Sequence, residues 1–262
     1  MLFLGTMGIL LWIVVVVAVI PAVALMIYIY NQDKIEKEPS DLLWKLAGLG
    51  VLAALAAALL EMAGEYALSG SIPSDVPVYP VFYAFLIVAT AEEGMKYLLM
   101  KKITWKHPAF DYKFDAIVYS VFCSLGFAAF ENILYVWNYG LSVAVVRAII
   151  SIPGHMSFAV AMGYFYGLGK LYANRGDEKK STKCLWTAFI SASLIHGFFD
   201  ACLMLENAVA TIVFLVFIVV LYIVIFRLIR KESKGDFAIV EKPVEGVSTV
   251  ADESTSEEES EA

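Results

Sequence analysis

Seven long apolar stretches, set apart mostly by charged or turn-rich loops, constrain this sequence more than any motif does. The hydrocarbon core of a bilayer takes about 20 residues of α-helix to cross. Stretches at roughly 5–30, 44–67, 79–104, 114–137, 152–173, 184–204 and 208–229 meet that length. The chain is 60% hydrophobic and 17% charged, against about 45–50% and about 25% in soluble domains. A soluble core of this length could not hide so much apolar surface. The sequence therefore predicts an all-α integral membrane protein, a bundle of about seven transmembrane helices, multi-pass in the cell membrane.

Of the 19 Lys and Arg, all but Arg147 and Lys96 fall in, or at the helix ends flanking, the loops after the first, third and fifth stretches or the region after the seventh. The positive-inside rule then puts the N-terminus outside and the C-terminus in the cytoplasm, as an odd number of helices also requires. The formal net charge of −7 sits entirely in the stretch from Lys231 onward, a tail ending ADESTSEEESEA. Two regions are predicted: a membrane domain over 1–230 and an acidic, disordered cytoplasmic tail over 231–262. The three cysteines form no disulfide framework or CxxC pair. Zinc-ribbon, P-loop and Rossmann patterns are absent, and no nucleic-acid partner is expected.

A charge at the centre of a bilayer helix costs about 2.5–3.5 kcal/mol on insertion scales, yet four consecutive stretches carry ionisable groups. ATAEEGMKYLL holds Glu92, Glu93 and Lys96; GFAAFENILYV holds Glu131, Asn132 and Tyr135; SIPGHMSFAV holds His155; SLIHGFFDACL holds His196 and Asp200. Glu92 and Lys96 share a helix face, as do Glu131 with Tyr135 and His196 with Asp200. An Asp one turn from a His fixes its tautomer and raises its basicity. Gly126, Gly154 and Gly197 lie beside these groups and allow close approach of backbones. At 1.5 Å per residue, Glu131, His155 and His196 lie roughly 18–25 Å from the cytoplasmic boundary, so one shared layer biased toward the outer face is expected.

Each group alone has a plain reading, such as a satisfied core histidine or an ion-paired packing residue. Two adjacent carboxylates are a costly way to pack helices, and recurrence on four helices points to function. Glu61 and Glu65, near the outer end of the second stretch, are weaker candidates. Arg147 could cap a helix or pair with a buried carboxylate. Two function classes remain from the residues alone. One is an intramembrane hydrolase that activates water, with or without a zinc ion. The other is a proton- or ion-coupled transporter using the same groups as a relay, for which paired half-sequences and matching broken helices are lacking. HExxH, GxSG and GxGD signatures are absent.

EEGMK at Glu92–Lys96, FENILY at Phe130–Tyr135, RAIISIPGH at Arg147–His155 and HGFFD at His196–Asp200 resemble the motifs of the PrsW family of intramembrane proteases. That family is related to the CAAX prenyl endopeptidases and the bacterial CPBP proteins. The resemblance runs over roughly residues 1–230 and leaves out the acidic tail. It implies a membrane endopeptidase acting on a membrane protein or peptide, such as a membrane-bound anti-sigma factor. It implies that Glu92 or Glu93 activates water, with Lys96 as the basic residue one turn on. His155 matches the first essential histidine, and His196 with Asp200 the last motif. Glu131 stands where the prenyl endopeptidases tend to place a histidine, so metal ligand, proton shuttle and structural acid all stay open for it. If a metal is present, His155 and His196 are its expected ligands; zinc and a metal-free glutamate mechanism both remain open.

Overall fold

The computed structural model describes residues 2–240; the part of the predicted acidic tail beyond Val240 lies outside the described residues. The elements are α1 (Leu2–Gln32), α2 (Ser40–Ser69), α3 (Tyr79–Phe82), a π-helical turn (Tyr83–Val88), α4 (Ala89–Thr104), α5 (Asp115–Tyr139), α6 (Leu141–Ile149), α7 (Ser151–Asn174), α8 (Glu178–Met204) and α9 (Ala208–Lys234). Among the described residues there is no strand, only an isolated bridge between Tyr112 and Ala238. Among the described residues, six helical segments are long and apolar enough to cross a membrane. The stretch predicted at 79–104 is helical throughout but divided into three segments, and its last, α4, spans 16 residues and carries the charges. Exposed Leu52, Leu55 and Leu59 on α2 and Val209, Ile212, Val216 and Val219 on α9 face outward, as lipid-facing side chains must.

Helix α5 is the central element. From Asp115 to Ala128 every residue is buried, the all-round burial that marks a helix enclosed by others. Its neighbours come close because glycines remove the side chains between backbones. A Cβ on Gly126 would stand 2.1 Å from the Ala47 carbonyl oxygen of α2, and one on Gly50 would stand 2.0 Å from the Cys123 carbonyl oxygen of α5. Small residues at such crossings take the place of the hydrophobic driving force that lipid cannot supply.

The π turn is held by one local bond and one distant contact. It shifts the backbone pairing by one residue, and the Thr90 hydroxyl donates to the Phe85 carbonyl at 2.9 Å. On α8, a Cβ at Gly197 would meet Phe85 Cδ1 at 2.5 Å. The missing side chain therefore lets the π turn settle against α8 beside His196, which brings α4 within reach of that histidine.

On the face with the basic loops, the chain after α9 is docked. Ile239 N–H donates to the Asp111 carbonyl at 2.7 Å, and Asn174 Nδ2 donates to the Ile239 carbonyl at 2.8 Å. Lys113 pairs with Glu232 at 2.5 Å. The first residues assigned to the tail thus continue α9 to Lys234 and then pack against the 111–114 segment.

Candidate active site

The seven ionisable residues singled out in the sequence, Glu92, Glu93, Lys96, Glu131, His155, His196 and Asp200, form one connected network across α4, α5, α7 and α8. His155 stands four residues into α7, and Glu131 and His196 each stand eight residues before the ends of α5 and α8. At 1.5 Å per residue the network lies about 6–12 Å below those helix ends, on the side away from the basic loops.

Lys96 is the hub and is 2% exposed. Its ammonium donates to Glu92 Oε2 at 2.9 Å and Glu93 Oε1 at 2.8 Å, and lies 3.3 Å from His155 Nδ1. It also sits 3.8 Å from the centroid of the Phe127 ring, a cation–π contact favoured where water is excluded. An ammonium has only donors, so His155 Nδ1 must accept. His155 Nε2 then carries the proton and donates to Glu131 Oε2 at 3.0 Å.

His196 faces carboxylates on both sides. Its Nδ1 lies 2.9 Å from Glu93 Oε1, and its Nε2 lies 3.3 Å from Asp200 Oδ2. Phe158 stacks on the ring at a centroid distance of 4.6 Å and holds its plane. Glu93 is fully buried, and its second oxygen, Oε2, has no hydrogen-bond partner.

Arg147, whose role the sequence left open, reaches in from α6. Its terminal nitrogen is 2.9 Å from Glu131 Oε2, an ion-pair contact without hydrogen-bond alignment, and its Nε donates to Asn132 Oδ1 at 3.0 Å. Asn132 in turn donates to the Ala18 carbonyl of α1 at 2.7 Å. Arg147 therefore fixes Glu131, and Glu131 fixes His155. Phe127 and Phe158, which position Lys96 and His196, carry no sequence signal that separates them from other core aromatics.

Glu92, Glu93 and His155 each offer a ligand atom within 4.8 Å of the others. Carboxylate and imidazole donors with an orphaned Glu93 oxygen suit a divalent metal. His196 is less free to serve, since both its nitrogens already face carboxylates. The residues fit a metal, although Lys96 already directs its positive charge at the same three side chains.

Fold and site define a class: a polytopic helical membrane protein with a carboxylate–imidazole centre buried among its spans. Residues 38–229 match the PrsW family intramembrane metalloproteases. The chain is 32% identical to Protease PrsW of Clostridioides difficile (strain 630) over 78% of this chain and 85% of that protein. It is 35% identical to Protease PrsW of Oceanobacillus iheyensis over 80% and 92%, and 31% identical to that of Bacillus subtilis (strain 168) over 69% and 78%. No solved structure matches the chain. The chain belongs to the PrsW family of intramembrane metalloproteases. It is a multi-pass membrane endopeptidase, and the transporter alternative finds no support.

Proposed function

We propose that this endopeptidase cuts a membrane-bound regulatory protein, such as an anti-sigma factor, at a peptide bond admitted to the Glu92–Glu93–His155–His196 layer. The observation that carries the site is Glu93: its Oε1 is held by Lys96 and His196 while its buried Oε2 has no partner. Glu93 takes the proton from a water, with Glu92 as its neighbour in charge. That water attacks the scissile carbonyl; once Glu93 holds the proton its grip on His196 Nδ1 weakens, and His196, kept in place by Asp200 at Nε2, turns that N–H to the oxyanion. Glu93 then gives the proton to the leaving amine as the C–N bond breaks. Lys96 keeps the two carboxylates together, and Glu131 holds His155 in its tautomer. The basic loops put the C-terminus in the cytoplasm, so the layer lies in the outer half of the membrane. Residues 1–230 form the protease domain, and the tail, whose first residues dock on it, carries none of the network.

Glu92, Glu93 and His155 are the residues that would hold a zinc ion. When bound, zinc supplies Lewis-acid polarisation of a carbonyl and a water that ionises readily near neutral pH. The position of Lys96, at 2.8–2.9 Å from both glutamates, favours a second reading in which the ammonium supplies that positive charge and no metal is used.

Cleavage of a membrane-bound substrate by purified protein in liposomes tests the proposal. Glu92→Gln, Glu93→Gln and His155→Ala should each lose at least about 100-fold, the usual scale for a positioned acid or base, while remaining folded. Wild-type cleavage by all three sinks it. One zinc per chain, lost in His155→Ala, supports the metal form; full activity in strong chelator leaves the metal-free one.

A further inference from the structure

A second acidic cluster is buried at the other end of α5. Asp33 closes α1, Glu38 lies in the loop before α2, and Asp115 opens α5; their exposures are 1%, 5% and 1%. One oxygen from each lies within 4.8 Å of the other two. Asp115 is sixteen residues from Glu131, about 24 Å along the helix, so this cluster is separate from the protease network.

The protein pairs only part of it. Tyr119 Oη donates to Glu38 Oε2 at 2.6 Å. The backbone N–H groups of Asp111 and Tyr112 donate to Asp115 Oδ2 at 3.1 and 2.7 Å. No well-aligned donor reaches either oxygen of Asp33, Oδ1 of Asp115 or Oδ2 of nearby Asp236; the Glu38 backbone N–H lies close to Asp33, and the Glu38 and Asp115 carboxyls face each other. The ammonium of Lys37 is directed to the backbone carbonyls of Tyr30 and Asp33. The C-terminal end of α1, where Asp33 N–H bonds to the Ile29 carbonyl at 3.3 Å, adds partial negative charge at the same place. Buried carboxylates left in this state carry a large desolvation cost.

We infer that Asp33, Glu38 and Asp115 bind one hard divalent cation (Mg²⁺, Mn²⁺ or Ca²⁺), which clasps the α1–α2 connection to the start of α5. The donor set is all oxygen, the preference of hard cations. Oxygens held about 2.1–2.5 Å from one ion stand at most about 4–5 Å apart, and the spacing of the three carboxylates meets that limit. The orphaned oxygens of Asp33 and Asp115 are the ones left for the ion. Its role is structural, since the three carboxylates join the α1–α2 connection to α5 about 24 Å along the helix from the protease network.

The probe is Mn²⁺ added to the full-length protein in detergent after chelator treatment, with bound ion counted by electron paramagnetic resonance and unfolding followed in parallel. Asp33→Asn should bind one Mn²⁺ fewer per chain than wild type and lose at least half of the Mn²⁺-induced rise in Tm. Glu38→Gln repeats the measurement should Asp33→Asn fail to fold. Equal Mn²⁺ counts in wild type and variant overturn the inference. The cluster would then hold protons, since burial pushes the Asp33 carboxyl up to about 6 and that of Glu38 up to about 7. A carboxyl that holds its proton more tightly when folded loses that stabilisation as pH rises through the folded value. A wild-type Tm that falls between about pH 5 and 8, equally with and without Mn²⁺, also overturns the inference and decides the matter if neither variant folds.

Discussion

Replacing Lys96 with Met keeps the length of the side chain and removes its charge. The substitution leaves Glu92 and Glu93, 6% and 0% exposed, without the ammonium that each contacts within 3 Å. Removing one partner of a buried ion pair costs about 3–5 kcal/mol, because the remaining charge stays buried and uncompensated. For a chain of this size each kcal/mol moves Tm by about 2–4 °C, so Lys96→Met should melt about 6–20 °C below wild type. Neutralising a stranded carboxylate should return part of that loss. Thermal unfolding of wild type, Lys96→Met, Glu92→Gln and the double variant in one detergent gives the coupling between the two sites. Contacting charges in one network couple by about 0.5–3 kcal/mol, and the upper half of that range is expected. Additive losses, with coupling under about 0.5 kcal/mol, would refute the view that Lys96 holds the glutamate pair together.

Gly126→Val should destabilise the protein by about 1–3 kcal/mol, the usual cost of overpacking, because its Cβ would run into the Ala47 backbone; Gly48→Ala, within α2 and with nothing within 4 Å of its Cβ, should raise stability by up to about 1 kcal/mol in the same melting assay. Arg147→Met should lower kcat about 10-fold or more with little change in KM, since it acts on His155 only through Glu131; an unchanged kcat on the reconstituted substrate would show that Glu131 needs no such support. An order of magnitude in kcat corresponds to about 1.4 kcal/mol, well within what misplacing one charged partner costs.

The pairings legible in the sequence are those set by helix geometry. Glu92 with Lys96 and His196 with Asp200 follow from a separation of four residues. Glu93 with His196, Lys96 with His155 and His155 with Glu131 join residues up to 103 positions apart, and only the packing of α4, α5, α7 and α8 brings them together. The stretches themselves were visible because bilayer length is a simple rule. The π turn was not, because Tyr83–Val88 is apolar throughout and its pairing depends on Thr90 and on contact with Gly197. Asp33 and Glu38 read as loop charges in NQDKIEKEPSD, since nothing local shows that α5 and the chain after α9 cover them. The limit of the membrane region at residue 230 marked where apolar residues end, whereas α9 continues for one more turn through polar residues.

The depth of the protease layer sets a condition on what it can cut. About 6–12 Å corresponds to one or two helical turns. A substrate helix entering there would have to surrender those turns, because a peptide bond is attacked in extended form, not inside the 13-atom hydrogen-bonded rings of a helix. In hydrocarbon each backbone group released without a partner costs several kcal/mol. Selection then falls on how readily a segment unravels at least as much as on its side chains. Membrane helices that carry Gly or Pro within their terminal turns on that side would be cut, and uninterrupted runs of Leu would be spared.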